Sequence, residues 1–170
     1  MARHDWGVEV DLVQLFVPTV HIIKPKLTRT LWGRLGASHG DLVVLAYVRP
    51  HIPHDIVDTI DEYMLGAGYR QYVWHGLHLE ALLEAGVAWG TNKIDRRDYT
   101  TPTLFGEVNV GYRIGVSEPG GLAFEGRESV GFYVAPQFGT IFSLGVADIG
   151  PRDGKPDWFL QGNLLVGLSF

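Results

Sequence analysis

Apolar and polar residues alternate with a period of two over stretches much longer than the five or six residues of an ordinary globular strand. Between residues 77 and 90, Leu77, Leu79, Ala81, Leu83, Ala85, Val87 and Trp89 make one wholly apolar face. His78, Glu80, Leu82, Glu84, Gly86, Ala88 and Gly90 make the other. A helix would mix these two sets. Residues 158–170 separate Trp158, Leu160, Gly162, Leu164, Val166, Leu168 and Phe170 from Phe159, Gln161, Asn163, Leu165, Gly167 and Ser169. Residues 103–114 set Leu104, Gly106, Val108, Val110, Tyr112 and Ile114 against Thr103, Phe105, Glu107, Asn109, Gly111 and Arg113. The same reading covers 62–74 (Tyr63, Leu65, Ala67, Tyr69, Val73 against Gly66, Gly68, Arg70, Tyr72) and 129–141 (Val130, Phe132, Val134, Phe138 against Tyr133, Ala135, Gln137). Gln71 and Pro136 are the blemishes on these apolar faces.

The N-terminal third is less regular. Residues 7–16 read as a strand with Val8, Val10, Leu12 and Phe16 opposite Glu9, Asp11, Val13 and Leu15, and residues 41–49 put Leu42, Val44, Ala46 and Val48 opposite Tyr47 and Arg49. Residues 19–32 give the weakest strand, because Lys24-Pro25-Lys26 interrupts it after Val20, Ile22 and Ile23. The count is eight, an even number that brings both chain ends to the same side of a barrel. His75-Gly76 is short enough only for a hairpin turn. Thr91 to Thr101 and Gly145 to Asp157 read as longer loops at the opposite end, the first carrying Lys93, Asp95, Arg96, Arg97 and Asp98; Val116 to Glu128 is long where a short turn is expected.

Which face carries the charges separates a soluble barrel from a membrane one, because a soluble barrel turns its charges to water. Here the charges sit mid-strand among small and aromatic residues, while the opposite faces are continuous in Leu, Val, Ala and aromatics. Such faces would expose more contiguous apolar surface than a soluble monomer tolerates. The expectation is an all-β, eight-stranded antiparallel up-and-down transmembrane β-barrel over residues 6–170, with residues 1–5 outside the fold. Trp158 and Phe170, twelve residues apart on one face, and Trp89 near a strand end are candidate membrane-interface aromatics.

Composition narrows the classes. Charged residues are 19% of the chain and the net charge is −5, which fits neither a disordered acidic chain nor a basic nucleic-acid binder. The absence of cysteine removes disulfides, thiolate metal sites and thiol nucleophiles. No run of 18 apolar residues occurs, so a helical membrane protein is excluded. Met1 begins no apolar signal region; for an exported protein it would stand in place of a cleaved signal peptide.

The last residues, Asn163 to Phe170, resemble the C-terminal signal of outer-membrane barrels, with Phe170, Leu168, Val166 and Leu164 at its alternate apolar positions. Leu165 stands where that signal usually has glycine, and Gly167 lies nearby. The stretch Tyr69 to Glu80 is similar to hairpins of small, uncharacterised eight-stranded outer-membrane barrels of OmpA/OmpX-like architecture. The resemblance implies a monomer in the bacterial outer membrane with both termini periplasmic. Its partners would be the lipid bilayer, lipopolysaccharide and the barrel-insertion machinery, which reads the C-terminal strand.

The inward set predicted for the lumen contains Glu9, Asp11, Arg49, Arg70, His78, Glu80, Glu84, Glu107 and Arg113, joined by Asn109, Gln137, Gln161 and Asn163. In a barrel this narrow, paired charges fill the interior. The expected role is therefore structural or passive, with passage of a small solute or ion through a mostly plugged lumen as its active form, and without catalysis, metal or cofactor. His75, His78 and Glu80 lack a third metal ligand at a fixed spacing, and His51 and His54 lie in a Pro-rich loop. The alternatives are a lipid-modifying enzyme and a loop-mediated adhesin. The one Ser beside a His is Ser38-His39, in a predicted periplasmic turn. The loops near 50–60, 91–101 and 145–157 are short, and the first hairpin at Val17-Pro18 is almost loopless.

Overall fold

A strand leaves unpaired N–H and C=O groups along both edges, and only a sheet closed on itself pairs them all. A computed structural model of the chain describes residues 6–16, 22–32, 39–52, 57–115, 131–145 and 158–170, and in it the sheet closes on itself. Its strands are β1 (Trp6–Asp11), β2 (Pro25–Trp32), β3 (His39–Ile52), β4 (Val57–Trp74), β5 (Leu77–Asn92) and β6 (Asp98–Tyr112, continued beyond Arg113 by Ile114–Gly115). Two more follow, β7 (Gly131–Gly145) and β8 (Trp158–Ser169). Each pairs antiparallel with its neighbour in sequence, and β8 returns to β1 from Gly7↔Ser169 to Asp11↔Leu165. Trp6 and Phe170 complete the seam by exchanging both backbone hydrogen bonds, at 3.1 and 2.9 Å. The product is the closed eight-stranded antiparallel barrel that the alternation predicts.

The two faces separate as the period of two requires. Leu65, Leu79, Leu83, Phe138, Leu160 and Leu168 point outward and are exposed, whereas Glu9, Arg70, His78, Glu80, Glu84 and Glu107 are buried inside. The interior is not uniformly polar. Ile22, Val43, Leu45, Tyr47, Met64 and Leu82 pack together within it, with Phe105 against them.

Three local expectations are corrected. The strand expected over 7–16 ends at Asp11, and Leu12–Phe16 form a short helix, α1. Asp11 causes the change: its Oδ1 accepts from the Val13 and Gln14 amides at 2.9 and 3.4 Å, which caps a helical turn, and from the Leu164 amide of β8 at 3.2 Å. Val13 and Leu15 therefore do not continue the inward face; Gln14 is buried instead. Second, Lys24-Pro25-Lys26 shortens the expected strand without abolishing it: β2 starts at Pro25, and Ile23 keeps only an isolated bridge to Val48. Pro25 opens β2 on its outward face, where a missing N–H is tolerated, and both lysines turn inward. Third, the loop expected over 91–101 is mostly strand, because β5 runs to Asn92 and β6 begins at Asp98. Residues 1–5, Val17-Pro18, Ser38, His54 and the connections 116–130 and 146–157 lie outside the described residues.

The His75-Gly76 turn is present, with His75 at φ 48°. Gly76 lies against the next hairpin: its carbonyl accepts from the Arg113 amide at 2.8 Å, and a Cβ there would stand 2.2 Å from the Arg113 carbonyl oxygen. Replacing Gly76 by Ala must push two backbones apart, so Gly76→Ala is expected to cost more than about 1 kcal/mol. The urea midpoint of the folded barrel would report it, and an unchanged midpoint would show that this contact relaxes freely.

Candidate functional site

Alternation places one inward side chain per strand at each level, and at the level of Arg70 these side chains come from six strands. Arg70 (β4) is completely buried. Its Nη1 and Nη2 donate to Glu9 Oε1 and Oε2 (β1) at 2.6 and 2.8 Å, a two-pronged pairing that suits a planar guanidinium. Nε and Nη2 also donate to Glu80 Oε2 (β5) at 2.9 and 2.5 Å. Lys26 Nζ (β2) reaches Glu80 Oε1 at 2.6 Å, and the Tyr133 hydroxyl (β7) donates to Glu9 Oε1 at 2.6 Å. Asn109 (β6) donates to the same Glu80 oxygen at 3.4 Å and to Glu107 Oε1 at 2.6 Å. The cross-section of the barrel is thus tied from wall to wall.

A second layer lies towards α1. Lys24 Nζ sits between Glu84 Oε1, at 2.5 Å, and Glu107 Oε2, and Gln14 Nε2 lies 3.1 Å from the Asn163 amide. A third layer lies towards the chain termini. Asp41 accepts from the Tyr72 hydroxyl at 3.0 Å and the Thr30 hydroxyl at 2.9 Å, Arg113 donates to the Tyr72 oxygen at 3.2 Å, and the Arg113 guanidinium stands 3.7 Å over the Tyr133 ring. There His78 is fixed on both sides of its ring. Nδ1 donates to the Gly76 carbonyl at 3.0 Å, which leaves Nε2 to accept from Gln137 Nε2 at 2.9 Å.

Of the residues predicted for the lumen, Glu9, Asp11, Arg70, His78, Glu80, Glu84 and Glu107 are buried, and Arg49 and Arg113 are half-buried near the two ends. The structure joins Glu9, Arg70 and Glu80 directly and links Glu84 to Glu107 through Lys24. Asp11 stands apart as the cap of α1. Sequence reasoning missed Lys24, Lys26, Asp41 and the hydroxyls of Tyr72 and Tyr133. The i, i+2 spacing of Lys24 and Lys26 was the available signal, hidden by the proline between them. Trp89 and Trp158 are exposed at the end away from the chain termini and Phe170 at the end that carries them, and Trp89 stacks on Tyr63 at 4.9 Å. Among the described residues no group of three His, Cys, Asp or Glu side chains could hold a metal ion.

Chemically, the network holds charges in place. Each buried ion has lost its hydration, and its partners must replace it. Truncation of Arg70 leaves Glu9 and Glu80 buried without their common counter-ion, so Arg70→Met is expected to cost about 3–5 kcal/mol in urea unfolding. Adding Glu9→Gln removes one of the stranded carboxylates, and the double variant should unfold at higher urea than Arg70→Met alone. Losses that simply add would show that the pair is not coupled.

Compared with protein-family models, curated proteins and solved structures, the chain finds no match in any of the three.

Proposed function

We propose that the chain is an integral barrel of the bacterial outer membrane, a monomer with both termini on the periplasmic side, and that its role there is structural or passive. The observation that carries this reading is the inside-out distribution of side chains. Among the described residues nineteen polar or charged side chains are buried against twelve apolar ones, while the outer wall exposes large apolar side chains such as Leu65 at 72% and Phe138 at 56%. Water would make that wall costly at roughly 25 cal/mol per Å² of apolar surface, and lipid removes the cost.

Dimensions agree with a bilayer. Trp158 and Phe170 lie on the outer face at opposite ends of β8. Twelve residues at about 3.3 Å each, tilted by about 40°, span on the order of 30 Å, close to the apolar band with its aromatic girdles. The closed sheet leaves the fewest backbone groups in need of water.

The interior supports a passive role. The Arg70 layer crosses the lumen with ion pairs from several walls, and breaking them to admit a solute would strand buried charges. Among the described residues seven buried carboxyl groups (Glu9, Asp11, Asp41, Glu62, Glu80, Glu84, Glu107) face three buried cations (Lys24, Lys26, Arg70), so any leak along them would favour cations over anions. Refolded into detergent, the protein is expected to run on a gel as a compact species that boiling converts to a slower one. In a planar bilayer it should pass no steady current. Discrete conductance would replace the plug by a path. A chain that folds and stays monodisperse without detergent would overturn the membrane assignment.

A further inference from the structure

The seam between β8 and β1 is only part made. β8 runs from Trp158 to Ser169, but its pairing with β1 stops at Asp11↔Leu165. Hydrogen-bonded pairs alternate along an antiparallel ladder. Trp6 and Phe170 exchange both bonds, so the same parity turns the N–H and C=O of Leu164, Gly162 and Leu160 towards the place where β1 would continue. Asp11 Oδ1 accepts from the Leu164 amide at 3.2 Å, and beyond it α1 lies against β8 in place of a strand. A helix of five residues is far too short to be stable alone, so a few side-chain contacts decide its state.

Two residues hold the helix. Asp11 caps it, and the Gln14 side chain turns inward, with Nε2 3.1 Å from the Asn163 amide. The second contact is incomplete, because Gln14 Oε1 is buried without a hydrogen-bond partner among the described residues. The rest of the segment suits a strand. Continuing the β1–β8 register pairs Leu12 with Leu164, Val13 with Asn163, Gln14 with Gly162, Leu15 with Gln161 and Phe16 with Leu160. Val13 and Leu15 then face inward, and Leu12 and Phe16 face the apolar outer wall. On the other side, the β1–β2 register sets Val13 opposite Ile22, a member of the interior apolar group, and the Ile23↔Val48 bridge already continues the β2–β3 register towards that level. Gly162, where a Cβ would meet nothing within 4 Å, leaves room for the side chain opposite it. Of the five residues only Gln14 is misplaced, its amide turned to the outer wall.

We infer that residues 12–16 form a two-state strap on the barrel wall: a helix with Gln14 inward, or a continuation of β1 that zips the wall shut along β8. Asp11 favours the helix by capping it, and Gln14 favours it by opposing the outer wall. The zipped state closes the wall beside the interior apolar group; the helical state leaves α1 as its cover there. The inference needs the closed barrel and not the outer-membrane reading, because the wall is apolar whatever surrounds it.

The test takes the full chain refolded in detergent micelles and compares wild type, Gln14→Leu and Asp11→Ala by NMR. In the wild type, residues 12–16 should show helical backbone shifts, with saturation-transfer exchange to an extended minor state of about 1%. Gln14→Leu should make the extended state the major one and slow hydrogen exchange of the Leu160 and Gly162 amides about tenfold. Asp11→Ala should move both readouts the same way; if it does not fold, Gln14→Leu decides alone. Cross-linking checks the register. The chain has no cysteine, so Val13→Cys with Asn163→Cys allows a single disulfide. The strand register permits it, whereas the helix, with Val13 exposed and Asn163 buried, does not. Adding Gln14→Leu should speed its formation about tenfold. Residues 12–16 that stay helical in Gln14→Leu, or lose structure while Leu160 and Gly162 still exchange fast, would overturn the strap. Absence of the cross-link in the Gln14→Leu background would do the same.

Discussion

The guanidinium of Arg70, without contact to solvent, donates to Glu9 on one wall and Glu80 on another, and the barrel's cross-section is arranged around that bond set. Once an arginine is placed in a closed barrel, its charge must be met by carboxylates from other strands, and those carboxylates need further donors. Lys26, Tyr133 and Asn109 supply them. Such a set is expensive to bury, and well-packed apolar residues could equal it in stability. What it adds is uniqueness of pairing. A slip of one residue in any of these strands would turn its charge outward and leave its partner inside.

Closure acts with this network. The short β1 carries the seam with β8, and β1 and its neighbour β2 also carry Glu9 and Lys26, which reach across to β4 and β5. Beyond Asp11, β8 has no strand partner on its β1 side among the described residues, and α1 packs there instead, with Gln14 turned inward towards Asn163. The apolar group around Leu45, Met64 and Leu82 occupies the interior beside it. The interior is therefore layered, with ion pairs and polar hydrogen bonds at the Arg70 level and on the side of the chain termini, and the Lys24 ion pairs mixed with apolar packing on the side of α1. Layering of this kind suits a plug better than a pore, which would need a continuous wet path.

Alternation made most of this legible. A period of two over a dozen residues leaves one reading for β4, β5, β6, β7 and β8, and it separates the inward Arg70, Glu80, Glu84 and Glu107 from the outward leucines and valines. It failed where a local rule was weighted too heavily. Pro25 reads as a strand breaker, yet at the first position of a strand its missing N–H is harmless, so the Lys24 and Lys26 it separates were lost from the inward set. Asp11 reads as one more inward charge, although an aspartate followed by a short apolar run is also a helix cap. Residues 91–101 look like a loop because they are charged, but the hairpin pairs Thr91 with Asp98 and needs only a tight turn.

By itself the sequence determined the class of the fold, its strand number and, β2 excepted, which face of each strand is polar, because side-chain direction in a strand depends only on parity along the chain. Only the tertiary structure decided who pairs with whom. Glu9 and Arg70 are 61 residues apart and Glu9 and Tyr133 are 124 apart, and their meeting depends on the register of every intervening strand and on closure of the sheet. No local pattern encodes that sum. The same holds for the left-handed Arg96, whose backbone follows from the registers that β5 and β6 impose on the turn between them.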